Sequence, residues 1–135
     1  MTATSQALYR RLRVLQMRQK VEEYARLVYA LTFDLDPEAQ RHRFVRRRLM
    51  LLTCWAHDDC EFLRYRAVAA QLAWVYYRCC AVLHGRRAFA ELPELEVVAW
   101  EATMCKNIRI MSEILGCIPR QGDRESPLVS PPVSP

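Results

Sequence analysis

At 135 residues the chain has the size of a single domain. With 52% hydrophobic and 26% charged residues, it lies far from the weakly hydrophobic, highly charged profile of a disordered protein. Three glycines argue against a glycine-rich phosphate loop or a turn-dense β-sandwich, and the +5 net charge comes from lopsided cations, 18 Arg against 2 Lys (Lys20 and Lys106).

The first periodic segment runs from about residue 4 to residue 33. Val14, Met17, Val21, Tyr24, Val28 and Leu31 step by three and four, which is a heptad seam. Leu8, Leu12, Leu15 and Leu27 widen the stripe, and Arg10, Arg11, Arg13, Arg18 and Lys20 take the remaining directions. The pattern predicts one long amphipathic helix that packs in a bundle or against a partner. Asp34-Leu35-Asp36-Pro37-Glu38 reads as a stop and restart, with Asp36 as N-cap and Pro37 where its missing N–H costs nothing.

A second helix is expected over residues 37 to 56, with Val45, Leu49, Leu52 and Ala56 on one face. Arg41, Arg43, Arg46, Arg47 and Arg48 crowd its other faces, and its C-terminal half is expected to be buried on several sides. Asp58 followed by Glu61 has capping-box spacing and starts a third helix, expected over residues 59 to 84 with Gly85 at C′. Phe62, Tyr65, Ala69, Leu72, Tyr76, Cys79 and Leu83 lie at helical spacing along it. Around Trp74-Val75-Tyr76-Tyr77, bulky groups point in every direction, so the helix is either central or presents part of them as an interaction surface. A fourth helix is expected to open at Pro93-Glu94 and to stop at Gly116, with Leu95, Val98, Ala102, Cys105, Ser112 and Leu115 on one side.

Residues 119–135 change composition abruptly. They hold five of the seven prolines and three Ser-Pro pairs, which cannot form a core. The expected architecture is therefore all-α: a compact bundle of about four helices over residues 1–118, followed by a disordered Pro/Ser-rich tail. No secretory signal or membrane-spanning segment is read in the sequence, since Gln71 and Arg78 interrupt the most apolar window. The six cysteines form no CxxC pair and fit reduced, mostly buried thiols in an intracellular protein, nuclear or cytoplasmic.

Charge is unevenly placed. Residues 1–48 carry 11 basic against 5 acidic side chains, whereas residues 93–118 carry 2 against 4. Such a surplus either complements the acidic fourth helix or forms an electrostatic docking surface. The run Arg41-His42-Arg43-Phe44-Val45-Arg46-Arg47-Arg48 suits phosphate contacts, a nuclear import signal or an acidic protein. Cys54, His57 and Cys60, spaced three apart, are the weak candidates for metal ligation. Cys79, Cys80 and His84 would lie about 30 Å from that junction along a straight third helix. The same junction, with Asp58 and Asp59, carries no motif of a nucleophile elbow or a cofactor site, so neither catalysis nor a cofactor is expected.

Leu8-Tyr9-Arg10 in a basic N-terminal helix, with Phe44 downstream beside an arginine-rich segment, resembles the LYR-motif family of small helical mitochondrial assembly factors. The match covers three contiguous residues and one phenylalanine. The resemblance implies binding of acyl carrier protein, and no functional residue is carried over.

The sequence thus points to a non-enzymatic regulatory adaptor acting through helix-mediated protein contacts. Its arginine-rich composition is compatible with a viral accessory protein from a GC-rich genome. The partner or homodimer surface is expected on the first-helix seam, and the arginines at 41 to 48 serve docking or import. Phosphorylation of Ser126, Ser130 or Ser134 would add about −1.5 to −2 charge each beside a basic body. The alternative is an arginine-rich helical nucleic-acid-binding protein.

Overall fold

The computed structural model describes residues 2–39, 43–85 and 92–118. Among the described residues four α-helices follow one another: α1 (Ala3–Phe33), α2 (Val45–Met50), α3 (Asp59–Leu83) and α4 (Glu94–Gly116). Short 3-10 helices occupy Pro37–Ala39 and Leu51–Trp55, and no strand occurs among the described residues. The architecture is the all-α bundle that the apolar spacing predicts. The expected tail, with Ser126, Ser130 and Ser134, lies outside the described residues, as does Arg41.

Local chemistry sets most helix ends. The Thr2 hydroxyl accepts the Ser5 N–H at 3.1 Å and opens α1. Asp34, left-handed at φ 58°, closes it, and the Leu35 N–H returns to the Ala30 carbonyl at 2.8 Å. At the start of α3 the Asp58 carboxylate accepts the Glu61 N–H at 2.8 Å, while the Glu61 carboxylate accepts the His57 N–H at 3.0 Å. The reciprocal box thus reaches one residue further back than its usual form. Gly85 follows α3 at φ 73°, a conformation that side chains with a Cβ disfavour.

The three long helices alternate in direction. Tyr24 of α1 shares a 2.9 Å hydrogen bond with Ser112 of α4, and Arg13 of α1 pairs with Glu94 and Glu101 of α4. Both ladders advance together, so α1 and α4 run parallel, with α3 antiparallel between them. Asn107 of α4 donates to Gln71 of α3 at 2.7 Å and to the Thr103 carbonyl at 2.8 Å, which satisfies its buried amide donors. One core cluster gathers Val21, Val28, Leu49, Leu52, Leu72 and Met111; a second gathers Val14, Met17, Val75, Val82, Val97 and Trp100. Fully burying each such large apolar side chain stabilises the fold by about 1.5–3 kcal/mol.

Two expectations need correction. The second helix is not continuous over residues 37 to 56. A 3-10 turn forms at Pro37–Ala39, where the Asp36 carboxylate accepts the Glu38 N–H at 3.0 Å, and α2 begins only after Phe44 at φ 53°. Beyond Met50 the chain tightens to 3-10 geometry, and the Thr53 hydroxyl donates to the Met50 carbonyl at 2.7 Å. The buried face of α4 is also rotated from the expected one. Val97, Trp100, Asn107, Met111, Ile114 and Leu115 point inward, whereas Leu95 is 83% exposed and Val98, Ala102, Cys105 and Ser112 face outward.

Candidate interaction surface

The heptad seam of α1 is engaged inside the monomer. Val14, Val21 and Val28 are fully buried, Met17 is nearly so, and Tyr24 and Leu31 pack partly buried against the core. Any surface α1 offers to a partner is therefore another face. Leu8, Tyr9 and Leu12 are exposed near its start, with Arg13 stacked 5.4 Å from the Tyr9 ring centroid.

Described members of the arginine run form a basic surface on α2 and the residues before it. Arg43, Arg46 and Arg47 are exposed, and Arg48 is half-buried over the Tyr29 ring at 4.4 Å. Tyr29 in turn meets Phe33 at 5.0 Å, and Arg47 lies 5.5 Å from Phe44. Val45 and Leu49 turn inward, which leaves the arginines the outer directions. Arg13 answers the electrostatic expectation differently: hydrogen bonds to Glu101 and Glu94 raise its already high pKa and clip α1 to the acidic start of α4.

Cys54, His57 and Cys60 are all exposed, and no group of three or more His, Cys, Asp or Glu side chains is placed to hold a metal among the described residues. Cys105 and Cys117 are exposed as well, whereas Cys79 is fully buried and burial, aided by Cys80, pushes its thiol up to about 12. A recess of about 580 Å³ beside the same junction is lined by Trp55, Tyr65, Ile114 and Ile118, with His57, Glu61, Arg64, Glu113 and Cys117. Its Glu61 carboxylate is already engaged, accepting the Tyr65 hydroxyl at 2.9 Å as well as the His57 N–H. Burial and that hydrogen bond raise the Tyr65 pKa.

The outer face of α3 is the most regular exposed apolar surface. Tyr65, Val68, Ala69, Leu72, Val75, Cys79 and Val82 take the inward side. Directly opposite, Leu63, Ala67, Ala70, Trp74 and Tyr77 step by four, three, four and three. Leu63 is 61% exposed, Trp74 45% and Tyr77 53%, and the two alanines are exposed between them. Arg78 holds its guanidinium 5.1 Å from the Trp74 ring centroid, and Tyr76 meets Tyr77 edge-on at 5.6 Å. The sequence signal for this face is its own heptad spacing, masked by two small residues in the middle. No described helix is long and apolar enough to cross a membrane. Comparisons with family models, curated proteins and solved structures returned no match.

Proposed function

We propose that the protein is a non-enzymatic intracellular adaptor that docks a protein partner on the outer face of α3. The observation that carries the reading is the exposed pair Trp74 and Tyr77, held on a rigid helix in register with Leu63. Large aromatics on an apolar strip flanked by arginines have the composition of interface hot spots. Burial of the α1 seam favours α3 over α1 as the docking element. Phosphorylation at Ser126, Ser130 or Ser134 and an arginine surface on α2 would modulate or localise such a complex.

A second reading, nucleic-acid binding, is favoured by one observation: Phe44 is held exposed in a left-handed conformation beside Arg47, with Arg43 and Arg46 nearby. Exposed rings among guanidinium groups suit unpaired bases and phosphates.

The test is affinity purification of the full chain from cells, with and without nuclease, beside a Trp74→Asp/Tyr77→Asp double variant. Under the adaptor reading, a co-purifying protein resists nuclease and falls at least tenfold with the double variant. Release by nuclease, with no effect of the double variant, moves the assignment to nucleic acid.

A further inference from the structure

We propose that the occupant of the α3 outer face is a second copy of this chain, packed antiparallel across a two-fold axis beside Ala70. This deepens the docking reading above and rests on the same face. Three features of α3 bear on the occupant, and its shape selects the direction.

The first is shape. The strip is large at both ends and small in the middle: Leu63, then Ala67 and Ala70, then Trp74 and Tyr77. In a parallel pair each residue meets itself, so Trp74 stacks on Trp74 while the alanines leave a gap. In an antiparallel pair centred at Ala70, the indole of one copy falls over the second copy's Ala67, and Tyr77 falls beside the second copy's Leu63. Each indole thus meets an alanine, twice by symmetry, and the alanines let the axes approach to about 8–10 Å.

Charge does not choose between the directions. Arg64, Arg66 and Arg78 flank the strip and are exposed. A parallel pair sets each opposite its own copy. Antiparallel pairing separates the two Arg66 side chains by about 12 Å along the axis, but it sets Arg64 within about one helical turn of the second copy's Arg78, as it does Asp59.

The third feature is area. Leu63, Trp74 and Tyr77 are each exposed by about half. Covering them and the intervening alanines on both copies removes on the order of 1,000 Å² from water, which is the lower bound of a specific interface.

The experiment is sedimentation equilibrium of the full chain over a wide micromolar range at physiological salt, with helicity followed by circular dichroism. A monomer–dimer equilibrium is expected, weakened at least tenfold by Ala70→Glu and by Trp74→Asp with helicity retained, since both positions are exposed. Direction is read by disulfide trapping in a chain whose exposed Cys54, Cys60, Cys105 and Cys117 are serine. Ala70→Cys forms a covalent dimer under mild oxidation, and Trp74→Cys does not.

A chain that stays monomeric throughout overturns the inference, as does a dimer undiminished by Ala70→Glu. Trapping through Trp74→Cys but not Ala70→Cys overturns it too. If the purified chain is monomeric while the aspartate double variant still abolishes capture of a nuclease-resistant protein, self-association fails and the adaptor reading stands.

Discussion

Cys79 shows how one residue reports on the whole fold. Its thiol sits at 0% exposure between α1 and α3, and burial holds it protonated up to about pH 12. An unfolded chain ionises the same thiol near its ordinary value of about 8.5–9. The raised folded pKa means stability is fully present below pH 8.5, falls as pH rises and is lost through pH 12. By pH 10 the expected loss from this group is about 1.4–2 kcal/mol. Urea midpoints should therefore fall more steeply between pH 8 and pH 10 in the native chain than in Cys79→Ala. Equal slopes would remove the linkage. The cysteine pattern in the sequence predicts buried thiols, and only Cys79 fulfils this fully, because Cys54, Cys60, Cys105 and Cys117 fall on outward directions.

At the scale of elements, Phe44 decides where α2 begins. A bulky residue in the left-handed region costs about 1–2 kcal/mol, and Phe44 holds φ 53° while its ring is 64% exposed. Glycine removes that strain and loses about 0.5–1 kcal/mol to backbone entropy. Phe44→Gly should consequently raise stability by about 0.5–1 kcal/mol, read from the urea midpoint, and a lowered midpoint would mean the ring contributes more than the strain costs. Nothing in Arg43-Phe44-Val45 announces this break, since the position fits the helical period. By contrast, Asp58 with Glu61 and Gly85 announce the ends of α3, because side-chain capping and glycine's tolerance of positive φ are properties of those residue types. The facing of α4 was illegible for a different reason. Asn107 can be buried only because Gln71 of α3 and the Thr103 carbonyl accept from it. A partner 36 positions away in the chain leaves no mark on the local pattern, so Leu95 and Val98 look like core and are surface. On α3, two alanines hide an exposed seam whose spacing is otherwise plain.

For the whole molecule, the division between core and surface gives opposite outcomes to two similar substitutions. Val21 is fully buried where α1 meets the larger core cluster. Val21→Asp places an unpaired charge there and should cost more than about 4 kcal/mol, most of the stability of a domain this size. Its helical circular dichroism signal at 25 °C should collapse, so loss of a partner in that variant would report unfolding. Trp74→Asp, on the face of α3 opposite the core, should keep the signal within error. A folded Val21→Asp would contradict the packing of α1.

The parallel run of α1 and α4 has a geographic result. Thr2 starts one pole of the bundle, and Ile118, just past the end of α4, lies at the other, packed in the cluster that holds Val28, Val45 and Leu49. That second pole also carries the arginines of α2. The amino terminus and the point of departure after Ile118 are thus set apart by about the length of α1, roughly 45 Å at 1.5 Å per residue. A probe fused in front of Thr2 and one fused behind residue 118 address different ends of the molecule. The last helix hands the remaining chain to the basic end, so residues separated by some seventy positions in sequence share one neighbourhood.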